Sequence, residues 1–447
     1  MQFEHETIYN VLNWLNSTYP RKMAFKCHEK TITYEELYSR SMNIAKGLNR
    51  LGLKQDDKVA IWGSNSIDWI LVQMAVAITG GVLVPINTRH RAMELEYSIK
   101  QSDSRFFFIE KEFGVSFIDI FREICPEIEN ANPGRLECDE FPELKNLICL
   151  GDWQHPGMFV FNEIENMGGD GHSLEFSGPK DVVIMQYTSG TTGPAKGAML
   201  SQEQIIKNAF RVSQRMQLTD EDIILCVMPF GHSGGSILST ILTLVVGGSM
   251  VIQPYFQPEE AMKLIENNGV TVLNGLETVY LSILNHPKFE EYDLTSLRAG
   301  FATGTPEMIL KIINGLEMWD LCHLFGMSEL SPNAVISLPE DSPETRAYTC
   351  GKPHEGVDVK ILDTKSGEEL PSGEMGEICV KGWNVMQGYY KMPKKTQETI
   401  DKDGWLHTGD LGVLREDGYL IFKGRFKDLI RVGGENVSRY EVELLLS

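Results

Sequence analysis

The sequence predicts an α/β protein with a smaller antiparallel β unit toward its C-terminal end. Three observations carry that expectation. Helix-like and strand-like segments alternate across residues 33–100, which implies parallel strands with helices packed on their faces. Further apolar strand runs recur between helices as far as residue 275. After about residue 345 the pattern changes to short strands separated by Ser-Gly and Asp-Gly turns.

Taken in order, TYEELYSRSMNIAKGLNRLGL at 33–53 has apolar residues at helical spacing and ends at a glycine. DKVAIWG at 57–63 is a short apolar strand. DWILVQMAVAITGG and GVLVPINT then repeat that order. The stretch from Ile70 to Ile86 is the most membrane-like, but Gln73, Thr79, Gly80, Gly81 and Pro85 interrupt it. It reads as a buried helix, a glycine stop and a core strand. From 110 to 178 the signal weakens, with Pro126, Pro133, Pro142 and Pro156 punctuating short elements. At 181 the strand DVVIMQY runs into the loop TSGTTGPAKG. A helix is expected from about Ser201, where Ser201 and Gln204 give the S-x-x-Q pattern of a capping box. ILCVMP, SMVIQP and VTVLNG read as buried strands. VDVKILD, GEICVKG and GYLIFKG read as the strands of the β unit, with turns at Ser366-Gly367, Ser372-Gly373, Asp403-Gly404 and Asp417-Gly418.

Composition narrows the function. A chain of 447 residues predicts roughly three domain-sized units and a large core. Lys plus Arg number 41 against 62 Asp plus Glu, a net charge of −21 that repels phosphate backbones and anionic membrane surfaces. Nucleic acid is therefore a poor partner, and no integral membrane segment is expected. The eight cysteines are scattered without a C-x-x-C pair, which fits reduced thiols in the cytoplasm better than disulfides or structural zinc. The start, MQFEHETIYN, carries no signal-peptide pattern.

The chemistry concentrates in the loop from Tyr187 to Gly197. Thr188, Ser189, Thr191 and Thr192 supply hydroxyls, Gly190, Gly193 and Gly197 let backbone amides approach an anion, and Lys196 adds a point charge. This suits the β- and γ-phosphates of a nucleotide. It is not a Walker A loop, because Ala195 and Gly197 flank the lysine where glycine and Ser/Thr are required. Any magnesium must then be held elsewhere.

The loop resembles the signature of the AMP-forming acyl- and aryl-CoA synthetase superfamily, which also contains peptide-synthetase adenylation domains and luciferases. Further motifs of that superfamily recur in order: MPFGHSGG at 228–235, LRAGFATGTP at 297–306, LFGMSE at 324–329, GWLHTGD at 404–410 and GRFKDLIRVGGENV at 424–437. GGVLVPINTRHRAMELEYSIKQSD at 80–103 looks like its N-terminal region, so the resemblance covers nearly the whole chain. It implies a large adenylate-forming domain. This would comprise α/β subdomains at 1–175 and 176–345, a small antiparallel β-barrel at 346–426, and a hinge and stub of a C-terminal domain at 427–447. The chain stops inside what reads as a new helix near Tyr440, so most of that last domain, with its catalytic lysine, is expected to be cut away.

The resemblance also implies site roles. Phe325 would offer a flat face to adenine, with Gly326 beside it. Ser328 would give a hydroxyl to the α-phosphate and Glu329 a hard carboxylate to Mg²⁺. The superfamily usually has tyrosine and threonine where this chain has Phe325 and Ser328. Thr303, Gly304 and Thr305 resemble the loop along the adenine. Asp410 resembles the residue that accepts both ribose hydroxyls, with Arg425 assisting at ribose and phosphate. His232, in P-x-x-H, resembles a gate between the ATP site and the acyl tunnel. Thr278, Tyr280, Gly300 and Ala302 match segments lining the carboxylate pocket, with Glu277 standing where relatives often have proline. Lys427 lies at the hinge position, and Gly433 and Gly434 resemble the loop that meets CoA.

The implied reaction joins a carboxylic acid, fatty, medium-chain or aryl, to ATP as an acyl-adenylate and then transfers the acyl group to CoA. ATP/AMP, Mg²⁺ and CoA are the implied cofactor and co-substrates, and a homodimer is compatible with the sequence. Two other readings stay open at this level: loading of a carrier protein, and a non-catalytic nucleotide- or acyl-binding form.

Overall fold

The computed structural model describes residues 5–169, 173–188, 194–425, 429–432 and 435–438, the last two stretches as backbone. Contacts divide the chain into two compact units, neither of them continuous in sequence. The first holds residues 1–210, 219–256 and 389–391, and the second holds 211–218, 257–388 and 392–447.

In the first unit the alternation at 33–100 folds as expected. The helix Tyr34–Arg50 starts at Thr33, whose hydroxyl accepts from Glu36 N while Glu36 returns a bond to the Thr33 amide. The strand Lys58–Trp62 pairs in parallel with Val82–Pro85 on one side and Ser104–Ile109 on the other. Between them runs the buried helix Ile67–Thr79, closed by Gly80 at φ +77°. Gln73, the polar interruption of that helix, is satisfied by donating to the Ser236 carbonyl at 2.9 Å. Asn146–Cys149 and Phe159–Val160 extend the parallel sheet at one edge, and Val182–Thr188 joins it at the other. Phe106, Phe107, Phe108 and Trp62 are fully buried, with Trp62 stacked on Phe117 at 4.0 Å. A second ladder runs Lys30–Thr33, Met23–Cys27, Ser249–Ile252 and Ile223–Cys226.

One element departs from the sequence reading. The glycine-rich loop does not lead straight into a helix. Lys196–Ser201 is a strand, antiparallel to Val182–Thr188, and only then does Gln202–Arg215 begin. The Ser201–Gln204 box is present, with Ser201 N donating to Gln204 at 3.0 Å. The glycine-rich segment is therefore flanked by two antiparallel strands.

In the second unit, Val272–Asn274, Ala299–Ala302 and Asp320–Gly326 are parallel neighbours, continued by antiparallel Asn333–Ile336 and Lys352–Pro353. The C-terminal β unit is a four-stranded antiparallel sheet in sequential order: Val357–Leu362, Met375–Gly382, Leu406–Leu414 and Leu420–Arg425. Among the described residues its first and last strands do not pair, so it is an open sheet rather than the expected barrel. The turn glycines 367, 373, 404 and 418 all take left-handed φ, from +73° to +90°. A shared core of Phe325, Leu330, Val335, Ile361, Ile378, Val380 and Leu420 ties this sheet to the end of the parallel one. A final antiparallel pair, Leu429–Val432 with Glu435–Ser438, follows.

Candidate active site

The predicted site residues fall into two groups, one in each unit. In the first, Thr188 ends its strand directly opposite Lys196, so the strand pairing sets both at the root of the glycine-rich loop. Both are half-buried. Lys196 Nζ bonds Tyr389 Oη at 3.2 Å and lies 4.3 Å from the centre of that ring. Tyr389 comes from far along the chain, in the three-residue segment 389–391 that belongs to this unit. The segment is fixed by Tyr390 N donating to the Gly197 carbonyl at 2.9 Å and Gln101 donating to the Tyr390 carbonyl at 2.8 Å. The Tyr390 hydroxyl donates to Asp103 at 2.8 Å, and Lys391 pairs with the same carboxylate. Sequence reasoning missed Tyr389; its only signal was an aromatic pair inside GYYKMP, which carries no chemistry by itself.

His232 sits in a turn held by Asn65, whose side chain bonds the Met228 carbonyl at 3.0 Å and the Phe230 amide at 2.7 Å. Gln186, from the strand leading into the glycine-rich loop, donates to the Gly231 carbonyl at 3.0 Å. His232 Nδ1 accepts from Gly234 N at 3.1 Å, which leaves the ring proton on Nε2. The ring stays accessible to solvent, yet the protein crowding it disfavours the imidazolium and holds its pKa below the ordinary value. The ring is thus held toward its neutral form.

In the second unit the parallel strands end side by side, with Ala302 in register with His323. Their C-terminal ends therefore place Thr303, Gly304 and Thr305 beside Gly326, Met327, Ser328 and Glu329, where ligands of such sheets bind. Thr305 caps the helix Pro306–Gly315, accepting from Met308 N at 3.4 Å, so only Thr303 and Gly304 stand free of the helix. Ser328 is half-buried and Glu329 is 4% exposed. The Glu329 carbonyl accepts from Met386 N at 2.9 Å, which anchors this turn to the loop after Met375–Gly382.

Asp410 lies within the strand Leu406–Leu414, directly opposite Arg425, with Arg425 Nε 3.4 Å from its carboxylate. Burial pushes its pKa up to about 6, Arg425 opposes that rise, and the charges of Glu329 and Glu377 add to it. Glu329 and Asp410 are thus electrostatic neighbours. The turn before Asp410 is tightly held. Thr408 Oγ1 donates to the Ile378 carbonyl at 2.7 Å and accepts from Asp410 N at 3.1 Å. Gly409, at φ +72°, donates its N–H to Glu377 at 3.0 Å.

Two expectations need correction. Phe325 is only 5% exposed and its ring packs toward Phe422 in the core, so it presents little face to an adenine. Tyr280 has no exposed surface. Its hydroxyl is shared between the carbonyls of Leu273 and Phe301, at 2.6 and 2.8 Å, so it braces two strands instead of lining a pocket. Thr278 is exposed, whereas Gly300 and Ala302 are buried in their strand. A side chain at Gly300 would collide with the Leu273 carbonyl, so glycine is demanded there by strand packing. Glu277 is the first residue of the helix Glu277–Leu284, a position where proline is equally at home. Ser189, Gly190, Thr191, Thr192, Gly193, Lys427, Gly433 and Gly434 lie outside the described residues.

The family described as "AMP-binding enzyme" matches residues 12–390. The chain is 38% identical to "Putative acyl-CoA synthetase YngI" of Bacillus subtilis, over 99% of this chain and 83% of that one. It is 34% identical to the mitochondrial medium-chain acyl-CoA ligase ACSF2 of Homo sapiens, over 95% of this chain and 71% of the relative. Among solved structures, ATP-bound MatB of Rhodopseudomonas palustris superposes with a TM-score of 0.84 at 26% identity, covering 98% of this chain and 82% of that one.

Proposed function

Because this chain belongs to the family of AMP-binding enzymes, we propose that it is an AMP-forming acyl-CoA synthetase acting on a medium-chain aliphatic acid. A carboxylate oxygen attacks the α-phosphorus of ATP, pyrophosphate leaves, and the acyl-adenylate forms. The CoA thiolate then attacks the acyl carbon and AMP leaves. The first step gathers negative charge on phosphate oxygens, so fixed positive and hydrogen-bonding groups do most of the work.

Lys196, steadied by Tyr389, meets the phosphates, with Thr188 and the loop hydroxyls beside it. Asp410 accepts from the ribose hydroxyls while Arg425 balances its charge. Thr303 and Gly304 border the base. Ser328 donates to the α-phosphate. Glu329 is the carboxylate that would hold Mg²⁺, and two buried carboxylates acting on one another suit a dication. Bound there, the ion supplies charge neutralisation at the phosphates. His232, neutral and accessible, stands at the acyl side. Lys427 and the Gly433–Gly434 pair keep their hinge and CoA roles by resemblance alone.

The observation that carries this reading is Asp410: a carboxylate kept buried beside an arginine and a second carboxylate, at a cost that a ribose diol would repay. The aliphatic class is supported by the medium-chain ligases among the relatives. All eight cysteines are buried free thiols, which supports a reducing, cytoplasmic setting. Among the described residues no helix is long and apolar enough to cross a membrane.

The test supplies the full-length gene product with ATP, Mg²⁺, CoA and a pool of aliphatic and aromatic acids, read by mass spectrometry. A medium-chain acyl-CoA is the expected product. An aryl or short-chain thioester overturns the acid class. Adenylate without any thioester overturns CoA as acceptor and points to a carrier protein, and bound nucleotide without product points to a binding protein.

A further inference from the structure

We propose that Glu377, Cys379 and His407 form a three-donor site for a zinc-class divalent cation on the four-stranded sheet. Cys379 and His407 are direct cross-strand partners, and Glu377 precedes Cys379 by two residues, across a bulge in the same ladder. The bulge lets both residues reach the histidine. His407 Nδ1 lies 3.5 Å from Cys379 Sγ and 3.0 Å from Glu377 Oε2, and all three donor atoms lie within 4.8 Å of one another.

Those spacings suit a tetrahedral ion. Zinc bond lengths of about 2.3 Å to sulfur and about 2.1 Å to nitrogen or oxygen give donor–donor edges of about 3.6 and 3.4 Å. The two edges that meet at His407 Nδ1 differ from these lengths by only a few tenths of an ångström. The surroundings also resemble a supporting shell. Glu377 uses Oε1 for the Gly409 N–H at 3.0 Å, which fixes the carboxylate while Oε2 faces the other donors. The far nitrogen of His407 lies 3.8 Å from Asp401 Oδ2, so a carboxylate backs the ring on the side away from the ion. Glu377 and His407 are half-exposed, which leaves an entry path and room for water as the fourth donor.

Opposing charge is present but outnumbered. Lys360 stands across the ladder from Cys379, with its ammonium 4.2 Å from the centre of the Trp405 ring. Burial, with Glu377 and Asp401 adding to it, pushes the Cys379 thiol up to about 12 against the pull of Lys360. The cation displaces the thiol proton as it binds, forming the sulfur–metal bond and releasing H⁺, so affinity weakens as pH falls. Since Glu377 also holds Gly409, a cation here stiffens the turn that presents Asp410.

Cobalt(II) is the probe, because its spectrum reports sulfur ligation directly. Titration of the whole chain with equimolar Co²⁺ should give tetrahedral visible bands and a near-ultraviolet thiolate-to-cobalt band, both erased by Zn²⁺. Cys379→Ser should abolish the thiolate band, and His407→Gln and Glu377→Gln should each weaken cobalt at least about tenfold. Cys138→Ser controls for a second thiol cluster, Cys125, Glu127 and Cys138, and should leave the spectrum unchanged. Absence of the thiolate band, or its survival in Cys379→Ser, overturns the site. Where Cys379→Ser fails to fold, as judged by its metal-free melt, the other two variants decide: unchanged cobalt affinity in both overturns the proposal.

Discussion

Replacing Asp410 with asparagine should make the protein more stable and a worse nucleotide binder at the same time. The carboxylate has an ordinary value of 3.8 and is raised to about 6 in the fold. A shift of roughly two units means that keeping it charged costs about 3 kcal/mol above neutral pH, at about 1.4 kcal/mol per unit. The sign follows from linkage. A carboxyl whose folded value is raised binds its proton more tightly when folded, so ionisation penalises the fold above about pH 6 and the penalty fades as pH falls toward the unfolded value. Relative to the neutral asparagine, the deficit of the native residue is about 3 kcal/mol near pH 8 and roughly half that near pH 5. The side chain is only 9% exposed, so solvent screening removes little of this. Urea unfolding of the two proteins at those two pH values, without nucleotide, reads the difference as a shift in midpoint. Calorimetry with ATP reads the other half. Loss of charge-assisted bonds to the ribose should weaken binding by about 1.5–3 kcal/mol, or more than tenfold. An asparagine variant that is less stable than the native protein near pH 8, or that binds ATP equally well, would refute the reasoning.

Other changes probe the remaining parts. In the full-length gene product, Glu329→Gln should leave nucleotide binding without magnesium nearly intact but lower the adenylation rate about a hundredfold or more, an electrostatic effect read by pyrophosphate release across a magnesium titration. Tyr280→Phe removes a buried hydroxyl and leaves the Leu273 and Phe301 carbonyls short of a donor, so thermal unfolding should show a loss of about 1–3 kcal/mol. Gly300→Ala forces a methyl into the Leu273 carbonyl and should cost several kcal/mol, seen as poor soluble yield and a lower melting temperature. If that variant melts like the native protein, the two strands do not pack as closely as the Leu273 carbonyl implies.

Much of the architecture was legible because its signals are local. Ser201 and Gln204 announce a helix start, Gly80 the end of another, and the Ser-Gly and Asp-Gly pairs the turns of the β unit, each through backbone preferences that act within four residues. The order of motifs likewise named the family, because the chemistry of binding a nucleotide fixes residue types wherever they stand. What the sequence could not reveal is which side chains meet across long separations. Tyr389 reaches Lys196 over 193 positions, and Glu377 grips the turn before Asp410 from a neighbouring strand. The strand Lys196–Ser201 was hidden because it owes its form to pairing with Val182–Thr188, not to its own propensity. Phe325 and Tyr280 show the converse. Their types suited a pocket, but the tertiary packing turned both rings into the core, where burying an aromatic face gains more than leaving it open to water.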